Sequence, residues 1–128
     1  KLVLADHFGR DYAMVCLAAD KSNLPLLSAE LDQFDASHAD VGGYLLGLWG
    51  LPQPLIEAVA FHHDPSAHEL DRVAPLTAVH AANALVHAIE EVEAAPPRKL
   101  DTAYLERLRV IRRVEAWREL TAELTAQD

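Results

Sequence analysis

Apolar residues recur along this chain every three or four positions, and the period-two alternation of a half-buried strand is absent. The pattern predicts helices only. A short helical stretch covers about 2–7, and "RDYAMVCLAADKS" continues at helical spacing over roughly 10–21. "SNLPLLSAELDQF" offers Ser22 or Asn23 as a cap and Pro25 in the first turn, which predicts a helix over about 25–34. In "SHADVGGYLLGLWG", Ser37 and Asp40 stand at capping-box spacing, with Asp in place of the usual Glu. The helix they start is expected over about 38–49, stopped by a left-handed Gly50. Gly42, Gly43 and Gly47 lie inside it, each costing up to about 1 kcal/mol relative to Ala. Three such costs predict that another helix approaches closely.

Prolines open the next helix, "LPQPLIEAVAFHH", which is expected to reach about His63. Asp64 and Pro65 stop it there, because the residue before a proline resists the helical region. After the polar loop "PSAHELDR", Pro75 opens a long helix over about 75–94, closed by "APP". Asp101 or Thr102 caps the final segment. Its stripe runs through Leu105, Leu108, Ile111 or Val114, Trp117, Leu120 and Leu124, with a break expected near residues 109–110. Leu48, Trp49 and Leu51 read as core residues. The fold class is all-α, without repeats or low-complexity tracts.

Composition narrows the function classes. A chain of 128 residues is one domain or part of one, and 51% apolar residues suffice for a packed core. The net charge of −9 argues against a general nucleic-acid binder or an anionic-membrane binder, both of which need a basic face. The charge is uneven: residues 1–97 hold 4 basic and 14 acidic side chains, while 98–128 hold 7 and 6. The acidity therefore sits with the histidines, where its field favours cations. The single cysteine, Cys16, permits no internal disulfide and fits a reducing cytosol, hence a cytoplasmic protein. In "AMVCLAA" it reads as a small buried apolar residue. No apolar run approaches the roughly 20 residues of a membrane span, and no signal-peptide pattern is present. The chain opens on Lys1 without Met and without a helix-start signal, and reads as cut from something longer.

The polar residues that can carry chemistry are few. His38 sits at a helix start, and His62 and His63 end the next helix. On the long helix His80, Asn83 and His87 share one face. Antiparallel packing of consecutive helices brings the first of these positions and the His pair to one end of the bundle. Neutral imidazole there is a good ligand for Zn, Mn, Fe or Ni. Plainer readings stand beside this one. His38 also suits an exposed first turn. A His pair at a helix C-terminus is favoured by the macrodipole when protonated. His80 and His87 also suit hydrogen-bonded, partly buried positions. His68 reads as loop decoration, and His7 carries no signal. No nucleotide loop, CxxC pair, Ser-His-Asp order or carboxylate pair is legible.

"SHADVGGYLLGLWGLPQPLIEAVAFHHDPS" followed by "LTAVHAANAL" strongly resembles the HDOD family, the HD-related output domains of bacterial signalling proteins. The resemblance extends to "KLVLADHFGRDY", which in the family follows an "HDxGK"-like segment whose lysine Lys1 resembles, and to "YLERL…W" as terminal helices. It implies an HD-domain-like helical bundle, here the C-terminal half of an HDOD module. Residues 1–97 would form its core part, and 98–128 would form terminal helices packing on or extending it. The missing partner segments would be an N-terminal half and a receiver domain.

The resemblance also implies kinship with HD and HD-GYP phosphohydrolases, which cleave phosphoesters such as cyclic di-GMP at one-metal or two-metal sites. By residue match, His38 resembles their ligand in the "H…G" helix, and His62 and His63 resemble the HD-GYP histidine pair. Asn83 stands where those enzymes keep a metal-binding Asp, and is a poorer ligand for a hard cation. The His-Asp doublet would precede Lys1, and "DPSAHELDR" replaces the "GYP" stretch. The expectation is therefore a non-catalytic output module of a two-component response regulator. No cofactor is expected, and His38, His62, His63, Asn83 and His80 would form a degenerate polar cluster. The alternative is a phosphohydrolase of the HD superfamily, with a divalent metal such as Mn, Fe or Zn on His38, His62 and His63. Half a module should leave apolar surface exposed. Association with the missing half, or with a second copy, is expected through the N-terminal helices or the Trp117 helix.

Overall fold

The computed structural model describes residues 1–69, 71–89 and 99–126, and all regular structure among them is helical. In chain order the helices are α1 (Leu2–Phe8), α2 (Arg10–Ser22), α3 (Leu26–Phe34), α4 (His38–Leu48), α5 (Gln53–Phe61), α6 (Pro75–Ile89), α7 (Thr102–Arg107) and α8 (Val114–Thr125). Short 3-10 turns lie at Pro65–Ala67 and Ile111–Arg113. No helix among the described residues is long and apolar enough to cross a membrane. The expected closure of the long helix after residue 89 lies outside the described residues.

Helix boundaries follow local chemistry. At the start of α4, Asp40 N–H donates to Ser37 Oγ at 3.2 Å, while Ser37 N–H donates to Asp40 Oδ2 at 2.8 Å. That is a complete capping box with Asp in the acidic position. At its other end Gly50 takes φ 70°, Gly50 N–H bonds Gly47 O and Leu51 N–H bonds Leu46 O. This pair of bonds is a Schellman ending. Asp101 caps α7 by accepting from Tyr104 N–H at 2.9 Å. Arg109, at φ 59°, makes the break between α7 and α8.

Two boundaries differ from the sequence reading. Asn23 closes α2 in the left-handed region at φ 50°, a conformation its short polar side chain tolerates, and the residue before α3 is Pro25, without a side-chain cap. Helix α5 ends at Phe61, so His62 and His63 occupy the turn after it.

The glycines of α4 are explained by α5. A Cβ on Gly42 would stand 2.8 Å from Val59 Cγ1, and one on Gly43 would stand 2.9 Å from Ala60 Cβ. Helix α5 in turn packs on α6, and α6 on α8. The core gathers Ala58, Leu76, Tyr104, Leu105, Leu108 and Val110, with Phe61, Leu100 and Trp117 packed against them. Leu76 and Leu105 are fully buried, each contributing about 1.5–3 kcal/mol. Tyr104 is sealed in with its hydroxyl on Thr77 Oγ1 at 2.8 Å.

The apolar stripe overstates burial at two places. Trp49 is 68% exposed and Leu48 is exposed beside it, because α4 turns its glycine face, not its C-terminal corner, toward α5. Leu120 and Leu124 are also exposed, although Leu105 and Leu108 on the same stripe are core. Cys16 is half-buried, and burial pushes its thiol pKa up.

Candidate functional site

The site is built from the middle of α3, the start of α4 and the turn after α5. The capping box fixes the first turn of α4 and with it His38, which is buried. The imidazole then meets a residue that the sequence reading passed over. Glu30, on α3, is 0% exposed and accepts three hydrogen bonds. Tyr12 OH donates to its Oε1 at 2.6 Å, and His38 backbone N–H donates to Oε2 at 2.9 Å. His38 Nδ1–H donates to Oε2 at 2.5 Å. A signal for Glu30 existed: Leu27, Glu30 and Phe34 fall at i, i+3 and i+7, so an acid interrupts an apolar stripe.

Charge states follow from these partners. Burial alone would raise the Glu30 pKa, but the hydrogen bonds from Tyr12 and from the His38 backbone and ring outweigh it and hold the carboxyl below its ordinary range. Glu30 is therefore a carboxylate. Burial lowers the His38 pKa against the opposing pull of Glu30, so the ring is neutral. Burial and the Glu30 hydrogen bond together hold the Tyr12 hydroxyl protonated, well above its usual range.

His38 Nε2 lies 2.9 Å from His63 Nε2. The proton on His38 is committed to Glu30, so its Nε2 carries the lone pair. The hydrogen-bond partners thus assign the shared proton to His63 Nε2. His62 contributes Nδ1 to a 2.7 Å bond with Val59 O, so in the neutral ring it donates there and keeps its lone pair at Nε2. The rings of His62 and His63 sit 4.0 Å apart, centre to centre.

His80 has a different job. It is buried at 3% exposure. Its Nδ1–H donates to His62 O at 2.8 Å, and Asp101 N–H donates to its Nε2 at 2.9 Å. Both ring nitrogens are thereby used in tying α6 to the turn after α5 and to the start of α7. Neither is left to ligate. His68 is more than loop decoration: its ring meets Phe61 edge-on and its Nε2 lies 3.4 Å from Glu57.

His38, His62, His63, His80 and Asn83 all line one cavity of about 550 Å³, with Lys99, Asp20 and Ser28 also on its wall. His87 is not among its lining residues. His38, His62 and His63 each bring one ligand atom, all within 4.8 Å of one another, and no Asp, Glu or Cys among the described residues joins them. The carboxylate behind His38 and the carbonyl behind His62 are the kinds of hydrogen-bond acceptor that orient metal-binding imidazoles. As a donor set, three imidazoles fit a single borderline ion such as Zn, Fe or Ni. The set offers no carboxylate to bridge a second ion.

The HDOD domain family model matches residues 1–65, just over half of the chain, and covers Glu30, His38, His62 and His63. No curated protein and no solved structure matches the chain.

Proposed function

The chain belongs to the HDOD domain family, and on that premise we propose that it is the non-catalytic output part of a cytoplasmic two-component response regulator. It acts through helix packing and contacts with other proteins. The observation that carries this reading is the His38–His63 bond. With Nε2 on Nε2 at 2.9 Å, the two imidazoles satisfy each other through a proton on His63. The pocket is then a closed hydrogen-bonded joint between α3, α4 and the turn after α5, with Glu30 as its charged anchor. Leaving the buried His38 ring unpaired costs about 1–3 kcal/mol. A signal that shifts α4 against α5 therefore has a discrete bond to break.

The convergence of three imidazoles supports a second reading, a metal-dependent phosphohydrolase related to the HD enzymes. His38, His62 and His63 would hold the ion, which when bound would polarise a water or a phosphoryl oxygen. In that state His63 must give up the proton at Nε2, and Glu30 would keep His38 oriented. Asn83, on the same cavity wall, is neutral where those enzymes carry a carboxylate.

Metal content with thermal unfolding separates the two. The first reading expects no stoichiometric Zn, Mn or Fe in purified protein and an unfolding temperature unchanged by chelator. One ion per chain, with a chelator-induced fall in that temperature, would reject it.

A further inference from the structure

The peptide that joins His62 to His63 is held on both sides. On one side the His63 ring is bonded to His38 Nε2 at 2.9 Å and meets the His38 ring edge-on, 4.9 Å between centres. On the other side the His62 carbonyl accepts from His80 Nδ1–H at 2.8 Å. The His62 C=O and the His63 Cα belong to one planar unit, with no free torsion between them. A pull on His63 through the His38 bond therefore swings the His62 oxygen.

His80 passes that motion on. Its ring is buried, so a bond lost at Nδ1 is not replaced by bulk water. Its Nε2 accepts Asp101 N–H at 2.9 Å, and a rigid ring cannot follow His62 O without moving the acceptor that Asp101 uses. Asp101 in turn caps α7 by accepting from Tyr104 N–H through Oδ1, and its Oδ2 accepts from Ser66 Oγ in the Pro65–Ala67 turn. Helix α7 has six residues, under two turns, so its first turn is most of it. At its other end Arg107 donates to His68 O at 3.3 Å. Ser66 and Arg107 are exposed and their bonds compete with water, which leaves the buried His80 ring as the stiff link.

We propose that His80 is a relay coupling the His38–His63 bond to the N-terminal cap of α7, so that breaking the bond unseats Asp101 and opens the first turn of α7. This coupling rests on the joint reading given above and names the element that the joint moves. His80 is a positioning residue in it, acting through the His62 carbonyl on one side and the Asp101 N–H on the other.

Residue-resolved amide hydrogen exchange of the full 128-residue chain, with chelator present, tests it. His63→Ala removes the donor to His38. The Asp101 and Tyr104 amides then exchange at least about fivefold faster, the low end of ordinary coupling between sites. Leu51 N–H, which closes α4 on Leu46 O away from this route, keeps its rate. His63→Gln, which can still donate to His38, restores the slower exchange. In the His80→Leu background, adding His63→Ala has no further effect at Asp101 or Tyr104. Coupling is reciprocal, so His80→Leu also shifts the ring-nitrogen resonances of His38 and His63, which a pin serving α7 alone would leave in place. An Asp101 rate that ignores His63→Ala overturns the proposal. So does one that rises in step with Leu51, or an acceleration that persists undiminished in the His80→Leu background. Turnover of a phosphoester tests the joint reading and not this coupling, so the two fail separately.

Discussion

Glu30 and His38 are joined twice: the carboxylate Oε2 accepts both the backbone N–H of His38, at 2.9 Å, and its imidazole Nδ1–H, at 2.5 Å. One side chain thus closes the turn between α3 and α4 and fixes which ring nitrogen of His38 faces the cavity. The bond between His38 and His63 depends on this choice of tautomer. It turns Nε2 into an acceptor and makes His63 the donor.

Glu30→Gln keeps the volume and removes the charge. Gln brings an N–H₂ group to a place where the protein offers only donors. The expected loss is about 1.5–3 kcal/mol, the range for hydrogen bonds to a charged group. Denaturant unfolding checks it, and a loss below about 0.5 kcal/mol, typical of surface changes, would contradict the role of Glu30 as anchor.

The glycines of α4 give opposite expectations on one helix. A Cβ at Gly43 would press on Ala60, which has no rotamer to yield, so Gly43→Ala should destabilise by about 1–3 kcal/mol despite better helix propensity. At Gly47 the nearest group is Ile56 Cδ1 at 3.9 Å, ordinary contact, so Gly47→Ala should stabilise by up to about 1 kcal/mol. Thermal unfolding of the two variants should move in opposite directions.

His80 should behave as a pin between backbone groups rather than as a ligand. His80→Leu leaves His62 O and Asp101 N–H without their partner, at about 1–3 kcal/mol each. Amide exchange at Asp101 should accelerate in this variant. An unchanged exchange rate would show that the bond is not formed in solution.

The capping box supplies a pH-dependent term. Hydrogen bonds from the Ser37 hydroxyl and then from its backbone N–H hold the Asp40 carboxyl below its ordinary range. The stabilisation is fully present above the unfolded Asp value, about 3.9, and is lost as pH falls through the lower folded value. Asp40→Ala should therefore cost about 0.3–1.5 kcal/mol at pH 7, and the gap from the parent should shrink in acid below that range. A gap that stays constant down to pH 3 would contradict this.

What the sequence made legible was local. The Ser37–Asp40 box, the Gly50 ending, the Asp101 cap and the break before α8 each depend on a few neighbouring residues, and each stands where local chemistry puts it. The glycine run of α4 announced a close helix, although not which one. Glu30 was missed because its meaning is tertiary: an acid on an apolar stripe reads as an interruption until Tyr12 and His38 are placed around it. Trp49 was misread for a related reason. Helical spacing says which residues share a face, and says nothing of whether anything covers that face. The Asn23 turn shows the limit of cap rules, since the same residue type serves a helix start and a left-handed helix end. At the site, spacing nominated the histidines, but the tautomers came only from Glu30, Val59 O and His62 O.

As a joint between helices rather than a reaction centre, the pocket should turn nothing over. The direct measurement is turnover of cyclic di-GMP and of a simple aryl phosphodiester by the purified protein, with Mn, Fe or Zn supplied in turn. The same measurement is made on His63→Ala. No turnover above the metal-only rate is predicted for either protein. Metal-dependent hydrolysis by the parent that disappears in His63→Ala would contradict it.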